Sequence, residues 1–318
     1  MKRTLSLLIA SAMLLLMMPQ AVLADNDHLG VLSNFVTVPT AGLSAEGVAN
    51  RGHTFYVSTI GFTATDGTIF VFDHKGDSKG SFTLSGLPVV GQAVILRDDL
   101  FVVACSGTLS GGAVVKIDLE TGTVNTGFAA IPSGCPNGLT ADVHGNLYVA
   151  DFAGSIDKVT QSGHVTLNWA TGGLLTPGTL GSFTIGPNDI MYNQRQNALY
   201  TTNTGTNTVV RIQIGEDGSA GAISAYATVP GPDGLAFDAH GDLYVTSPFT
   251  NKVFLVSPGG SSVTPMTFTG TETLDGPSSV ILHGNYMYIT NLNLASSHSS
   301  GYVSVVQIGF PESEPASD

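Results

Sequence analysis

Charged residues are scarce in this sequence. Only 11 % of its 318 residues are Asp, Glu, Lys or Arg, and only 11 are Lys or Arg. The formal net charge is −13. So few cationic groups and so negative a balance argue against binding to nucleic acid or to an anionic membrane surface. Long runs of Ala, Leu, Glu and Lys are also missing, which argues against a mainly helical protein.

Glycine and short β-type segments are abundant instead. The chain has 39 glycines, and short Val, Ile, Tyr, Thr and Phe segments alternate with clusters of Gly, Asn, Asp and Pro. This pattern predicts an all-β protein with many turns. No Pro/Ser-rich linker divides the chain, so we expect one large domain over residues 25–310. The polar, acidic tail at 311–318 is expected to be disordered.

The N-terminal residues 1–24 have the pattern of a secretory signal peptide. Lys2 and Arg3 precede an apolar run from Leu5 to Met18, and small residues follow near Ala24. The run is too short to span a bilayer comfortably, which favours a cleavable signal. The mature chain would lose two positive charges, so that −13 becomes −15. We therefore expect an exported protein, periplasmic or secreted, without a membrane anchor after cleavage.

One phrase of turn, strand, hairpin turn and strand recurs along the mature chain. Its clearest copies are CPNGLTADVHGNLYVAD at 135–151 and GPDGLAFDAHGDLYVTS at 231–247, and four others occur. The residues at the equivalent turn position are Glu46, Gln92, Asn137, Asn188, Asp233 and Ser278, with gaps of 46, 45, 51, 45 and 45. A period near 45 with about four short strands in each unit is typical of a β-propeller blade. The sequence therefore predicts a six-bladed β-propeller.

The last repeat is one strand short at its C-terminal end. The segment NFVTVP at 34–39 resembles AYATVP at 225–230, which is expected to be the outer strand of an earlier repeat. We predict that residues 34–39 complete the last blade and close the ring. Closure would remove exposed sheet edges, which otherwise invite aggregation.

A closed ring would bring the six turns together around one axis. Glu46, Asn137, Asn188 and Asp233 would then offer two carboxylates and two amides, with Gln92 and Ser278 completing the circle. Oxygen donors of this kind suit Ca²⁺, although another divalent cation could use them. Zinc or copper would favour His or Cys. Because Asn and Asp are also common turn residues, a purely structural role is the alternative interpretation.

These motifs resemble those of the senescence marker protein/gluconolactonase-like (SGL) family of six-bladed propellers. The residues Glu46 in SAEGVA, Asn137 in CPNGL, Asn188 in GPNDI and Asp233 in GPDGL follow the family's order of metal ligands, Glu, Asn, Asn, Asp. Cys135 stands where the family often has an arginine that helps to hold sugar acids. Propellers with NHL repeats share the P-x-G…G-x-L-Y-V phrase without a metal, so the ordered quartet is the specific part of the resemblance.

The resemblance implies a calcium-dependent hydrolase of a lactone or another ester-like small molecule. Asp233 would be the catalytic residue, as a general base or as a nucleophile, and the other three would be ligands only. Two alternatives remain: a non-catalytic NHL-like propeller that binds a protein or a glycan, and a metal-dependent lyase of the virginiamycin B lyase type. Such a lyase is expected to need a histidine near the metal, and only His298 could serve. We expect a monomer that acts on a small molecule.

The chain has only two cysteines, Cys105 and Cys135, and we expect them to lie one blade apart. Both are predicted on the same face of the propeller, and export would place them in an oxidising compartment. We expect a disulfide between neighbouring blades, with two free buried thiols as the alternative.

Overall fold

A computed structural model describes residues 30–181 and 183–309. The predicted signal peptide at 1–24 and the predicted tail at 311–318 lie outside the described residues. No helix in the described part of the chain is long and apolar enough to cross a membrane.

The described residues form six four-stranded antiparallel units, of which the first five are simple meanders. The first unit contains β2 (Ser44–Arg51), β3 (Thr54–Ile60), β4 (Gly67–Asp73) and β5 (Ser78–Leu84). The second contains β6 (Val89–Leu96), β7 (Asp99–Cys105), β8 (Gly112–Asp118) and β9 (Val124–Ile131). The third contains β10 (Pro136–Ala141), β11 (Leu147–Asp151), β12 (Ser155–Val159) and β13 (Val165–Thr171).

The other three units follow the same plan. The fourth contains β16 (Pro187–Asn193), β17 (Ala198–Asn203), β18 (Thr208–Ile214) and β19 (Ala220–Thr228). The fifth contains β20 (Leu235–Phe237), β21 (Leu243–Ser247), β22 (Lys252–Val256) and β23 (Val263–Pro265). The sixth contains β24 (Pro277–His283), β25 (Tyr286–Asn291), β26 (Tyr302–Gln307) and, as its outer strand, the N-terminal β1 (Leu32–Thr37).

A two-stranded hairpin interrupts the regular repeat between the third and fourth units. It consists of β14 (Gly178–Leu180) and β15 (Phe183–Ile185). This hairpin accounts for the gap of 51 residues, which is longer than the other gaps. Short 3₁₀ helices occur at Gly173–Leu175, Gln194–Gln196, Thr204–Thr206, Pro248–Thr250 and Pro258–Gly260.

The propeller class predicted from the repeat is confirmed, but the sheets do not divide into six separate blades. The third to sixth units are separate four-stranded sheets, whereas the first and second share one eight-stranded sheet. The link between them is a single pair, Ile60 with Val89. The predicted N-terminal strand pairs antiparallel with β26, although it begins and ends two residues earlier than the predicted 34–39.

The hydrophobic core lies between neighbouring units rather than at one centre. One cluster, for example, joins Phe101 and Val103 of the second unit to Leu139 and Val149 of the third. Equivalent clusters lie between each of the other successive pairs, including the sixth and first units. Alternate side chains of each strand point to the two faces of its sheet, so both faces are buried against neighbours.

The first strands of the six units contact one another in a closed order. The order of contact is β2, β6, β10, β16, β20, β24 and again β2. Glycine makes this approach possible: a Cβ on Gly138 would lie 2.5 Å from the carbonyl oxygen of Asn188. Gly47 and Gly234 face the carbonyl oxygens of Gly91 and Ser278 in the same way. The glycine of the repeated phrase is therefore required for close backbone packing.

Second-strand hydroxyls join four of these contacts; we term them the hydroxyl bridges. Each accepts a hydrogen bond from an N–H in, or directly before, the first strand of its own unit, and donates one to a carbonyl at the equivalent place in the next unit. They are Ser58 to Gly91 O (2.7 Å), Thr202 to Asp233 O (2.6 Å), Thr246 to Ser278 O (2.8 Å) and Thr290 to Glu46 O (2.8 Å). The second and third units have Ala104 and Ala150 at the equivalent register positions.

A disulfide joins the second and third units. It links Cys105, the last residue of β7, to Cys135, which directly precedes β10. Both cysteines are buried and pack with Val89, Ile60 and Phe152.

We predict that Gly138→Ala destabilises the fold. The added methyl group would overlap the backbone of Asn188 and Asp189, and overpacking of this kind costs about 1–3 kcal/mol. Urea unfolding followed by circular dichroism measures the loss. Gly127→Ala is the matched control, because the new methyl group would have only an ordinary contact in outer strand β9. Equal stability of the two variants would contradict the packing role.

We also predict that removal of the disulfide lowers the free energy of unfolding by about 3–4 kcal/mol, because the crosslink closes a loop of 30 residues in the unfolded chain. The double variant Cys105→Ala/Cys135→Ala should unfold at lower urea than the oxidised protein. Reductant should lower the stability of the original chain and leave the double variant unchanged. A response of the double variant to reductant would contradict this prediction.

Candidate metal centre

The beginnings of the first strands share one end of the molecule. In the third unit, Pro136 pairs with Asp151, Asp151 with Ser155, and Ser155 with Thr171. The start of the first strand, the end of the second, the start of the third and the end of the fourth therefore lie together. The other units have the same antiparallel order. We term this the site end of the propeller.

The four sequence-predicted metal residues all lie at the site end. Glu46, Asn137 and Asn188 belong to β2, β10 and β16, and Asp233 lies two residues before β20. All four side chains are buried, with at most 6 % of the residue surface exposed. The closed order of first strands brings them from four different units to one end of the ring.

A direct contact joins two of these residues. Asn137 Nδ2 donates a hydrogen bond of 3.1 Å to Glu46 Oε1, although 91 residues separate them. Their strands are not neighbours, since β6 lies between β2 and β10 in the ring. The two side chains thus reach past the intervening strand and meet toward the axis.

The amide orientation of Asn188 is fixed by a different contact. Its Nδ2 donates to Thr204 Oγ1 at 2.9 Å, and Thr204 Oγ1 donates to the carbonyl oxygen of Pro232 at 2.6 Å. With the NH₂ group held in this way, the carbonyl oxygen of Asn188 is left for another partner. Because Pro232 precedes Asp233, the same chain of bonds also holds the turn that carries Asp233.

Three of the four predicted residues have buried oxygens that no described group satisfies. Asn137 Oδ1, Asn188 Oδ1 and Asp233 Oδ1 have no hydrogen-bond partner among residues 30–181 and 183–309, and Asn203 Oδ1 is a fourth such atom. A buried polar atom without a partner costs about 1–3 kcal/mol. Such atoms are rare in folded proteins, so each one indicates a missing partner. A hard cation would satisfy carbonyl and carboxylate oxygens together.

Asp189 is a buried acid that the sequence analysis did not assign. Its Oδ1 accepts from the N–H of Ile190 at 2.7 Å, and its Oδ2 accepts from the N–H of Leu235 at 3.0 Å. It therefore links β16 to β20 directly beside Asn188. The signal was present in GPNDI, where an acid follows the predicted ligand, but only the fold brings that acid into contact with β20.

Three carboxyl groups, those of Glu46, Asp189 and Asp233, are buried at the candidate site. Burial raises the pKa of Glu46, and its hydrogen bond from Asn137 only partly opposes this effect. Burial also raises the pKa of Asp189 to about 7. The pKa of Asp233 is raised well above its usual range by burial first, and then by the charges of Glu46 and Asp189. The three acids can all be ionised at neutral pH only if a cation offsets their repulsion.

The amide oxygens are an essential part of any metal site at this position. In the described part of the chain, no three or more His, Cys, Asp or Glu side chains are grouped so that they could hold a metal ion by themselves. The carboxylates would have to act with the orphaned oxygens of Asn137 and Asn188. An oxygen-only set fits Ca²⁺ better than zinc or copper.

The two other equivalent turn positions, assigned to Gln92 and Ser278, do not offer an unpartnered oxygen as a metal ligand. Ser278 Oγ lies 3.0 Å from the carbonyl oxygens of both Ala45 and Glu46, so it positions the Glu46 backbone. In the second unit Val89 pairs with Cys105, so the register puts Val90 at the position of Asn137. Gln92 follows two residues later in an irregular stretch of β6. The expectation that Gln92 stands at the equivalent position is wrong for this reason.

His298 also lies at the site end, between β25 and β26. Its ring is 3.9 Å from the ring of Tyr302, and its Nε2 is 3.5 Å from Glu272 Oε2. The backbone N–H of His298 donates to Asn293 Oδ1. These contacts hold the imidazole against Tyr302 and the segment between β23 and β24.

Comparison with known families gives one match that covers most of the chain. The model described as "SMP-30/Gluconolactonase/LRE-like region" matches residues 62–293. A search of curated proteins gave no match.

Solved structures share the fold at low sequence identity. A putative gluconolactonase has a TM-score of 0.65 and 14 % identity, over 89 % of this chain and 94 % of its own. A protein described as calcium-binding, regucalcin from Agrobacterium tumefaciens strain C58, has a TM-score of 0.60 and 15 % identity, over 89 % and 99 %. Virginiamycin B lyase from Staphylococcus aureus has a TM-score of 0.57 and 14 % identity, over 87 % and 99 %. At these identities the likeness shows the fold alone.

We predict that the chelator-treated protein loses stability as pH rises from about 4 to about 7. Raised carboxyl pKa values mean that the folded chain binds more protons than the unfolded chain in this window, so deprotonation favours unfolding. Urea unfolding at successive pH values in EDTA measures the slope. Asp233→Asn should flatten it and raise the stability at pH 8. Equal slopes for the two proteins would contradict the electrostatic description of the site.

Proposed function

The chain belongs to the SMP-30/gluconolactonase/LRE-like family, and we propose that it is a calcium-dependent hydrolase of a lactone or another ester-like small molecule. The observation that carries this proposal is the set of buried, unpartnered oxygens on Asn137, Asn188 and Asp233 beside the Glu46 carboxylate. Divalent metal binding also agrees with the description of the regucalcin neighbour as calcium-binding.

We also propose that each four-stranded unit is one blade, which gives a ring of six. The closed order of the six first strands supports this count. So does the weak link between the first and second units, a single residue pair within the eight-stranded sheet. In a six-bladed ring the donors of four blades face a common axis.

Glu46, Asn137, Asn188 and Asp233 would hold the metal. Bound there, calcium would supply a Lewis acid that polarises the carbonyl or phosphoryl oxygen of a substrate. Its charge would keep Asp233 ionised despite burial, in contrast to the raised pKa of the metal-free carboxyl.

Asp233 is proposed as the catalytic residue. As a general base it would take a proton from the attacking water; as a nucleophile its carboxylate would attack the carbonyl carbon itself. The backbone around it is tightly held, because Thr202 Oγ1 donates to its carbonyl oxygen and its N–H donates to the carbonyl oxygen of Thr246. Asp189 and Ser278 are proposed as positioning residues.

A lyase is the second candidate function. The observation that favours it is His298, a histidine at the site end that contacts both Glu272 and Tyr302. If His298→Ala abolished activity while calcium affinity was unchanged, and if simple lactones were not hydrolysed, the lyase would be preferred.

We further propose that the mature chain is exported and acts as a monomer on a small molecule. The Cys105–Cys135 disulfide supports export, because such bonds persist mainly in oxidising compartments.

Calorimetric titration of the metal-free protein with Ca²⁺ tests the site. We predict one calcium per chain, and a loss of affinity of more than roughly 100-fold in Asn137→Ala and in Asp233→Asn, since loss of a direct ligand should exceed the effect of an outer-shell change. Asp217→Asn is the control, because this acid is in the exposed hairpin between β18 and β19 at the other end. Hydrolysis of simple lactones should cease in EGTA and return with calcium.

Unchanged calcium affinity in both site variants would show that the ligand assignment is wrong. Calcium binding without turnover of any lactone or ester would contradict the hydrolase proposal and indicate a metal-stabilised, non-catalytic propeller.

A further inference from the structure

Exposed hydrophobic side chains are concentrated at the site end. Nine large hydrophobic residues in the described part of the chain are exposed, and six of them lie in the loops at this end or in the β14–β15 hairpin between the third and fourth units. These six are Phe62, Leu109, Leu174, Phe183, Phe249 and Leu294. We term them the apolar rim. Exposed aromatic and leucine side chains that share one end of a protein offer apolar surface to a partner.

Two rim residues lie against the turns that precede first strands. Phe249 contacts Gly231, with its ring 3.6 Å from where a Cβ would be, and Gly231 is two residues before Asp233. Leu294 lies directly on Gly276, two residues before Ser278. The two contacts are equivalent in the fifth and sixth units. They place apolar surface on the turn that carries Asp233 and on the equivalent turn before Ser278.

The loop that carries Phe249 is held in place by several hydrogen bonds. Ser247 Oγ donates to the carbonyl oxygen of Pro230, and Thr250 Oγ1 donates to Ser247 Oγ at 2.8 Å. Asn251 Oδ1 accepts from the N–H of Gly276 at 2.8 Å, which joins this loop to the next unit. These hydrogen bonds fix the loop, so the ring of Phe249 is already exposed and positioned before a ligand binds.

Cationic side chains are nearly absent from the same end. The segments that join strands at the site end contain no Lys or Arg among the described residues. Of the nine described Lys and Arg residues, Lys252 alone starts a strand there, at the third-strand position of the fifth unit. Arg51, Lys75, Arg97 and Arg195 lie in or beside hairpins at the opposite end. A carboxylate or phosphate on the substrate would find no fixed cationic partner in these loops.

We propose that the substrate is a neutral lactone or ester with an apolar alkyl or aryl portion. The apolar portion contacts Phe249 and Leu294 at the rim, while the reacting carbonyl reaches the axis beside Asp233. This inference rests on the proposed hydrolase function and narrows its substrate class. A polyhydroxylated lactone would leave the apolar rim exposed to water, and an anionic lactone would find no Lys or Arg in these loops.

A lactone series tests the inference in calcium-loaded protein. Hydrolysis of γ-butyrolactone, γ-nonalactone and glucono-δ-lactone is followed by pH-stat titration. We expect kcat/KM to rise with the alkyl chain, by up to about fourfold for each methylene that is fully buried. The double variant Phe249→Ser/Leu294→Ser should lose at least tenfold on γ-nonalactone and less than twofold on γ-butyrolactone.

Leu167→Ser is the matched control. Leu167 is also exposed, but it lies on outer strand β13 in the third unit, away from the rim. Its replacement should leave all three rates unchanged. An equal loss in this variant would assign the effect to general surface hydrophobicity and overturn the inference.

A binding measurement separates this inference from the hydrolase proposal. Lactams resist hydrolysis, so 2-pyrrolidinone and 5-pentyl-2-pyrrolidinone serve as probes in calorimetric titrations. Tighter binding of the pentyl compound, lost in Phe249→Ser/Leu294→Ser, supports the apolar rim even if no lactone is hydrolysed; in that case only the hydrolase proposal fails. If lactones are hydrolysed but the alkyl chain improves neither rate nor lactam affinity, the hydrolase stands and the apolar substrate is wrong.

Discussion

The close approach of the first strands is the constraint on which the molecule depends. At Gly138 and its equivalents, the backbone of one strand lies against the carbonyl of the next, with no room for a side chain. This contact repeats around the axis and is reinforced by the hydroxyl bridges. Close packing of this kind surrounds the polar residues near the beginnings of the strands with protein, so these residues lose most of their contact with water.

Crowding of acids and amides would be unfavourable without a further partner. Glu46, Asp189 and Asp233 influence one another electrostatically, and burial is the largest cause of each raised pKa. Acids that serve only to form turns can accept hydrogen bonds from nearby backbone N–H groups. Asp142 and Asp238 do so at the opposite end. The contrast between the two ends favours a ligand role for the buried set over a purely structural one.

Repetition made much of this arrangement predictable. A period near 45 predicted the propeller, the N-terminal outer strand and the disulfide partners, because each depends on counting strands along the chain. Other features depend on register and packing. Gln92 was misplaced by two residues, because the pairing of Val89 with Cys105 puts Val90 at the position of Asn137. Asp189 was overlooked because alternation along an isolated strand does not say which side faces the axis. The single pair that fuses two sheets and the β14–β15 hairpin have no signal in the repeated phrase.

The disulfide makes the junction of the second and third units chemically different from the other junctions of the ring. Where four junctions have a serine or threonine hydroxyl, the junction of the second and third units has Ala104 and a covalent bond from the neighbouring Cys105 to Cys135. Hydroxyl junctions are indifferent to redox conditions, whereas this one is not. Thiol reductants would therefore weaken the junction of the second and third units, two residues from Asn137. The positions of the buried oxygens of the candidate metal site would then depend on the redox state of the surroundings.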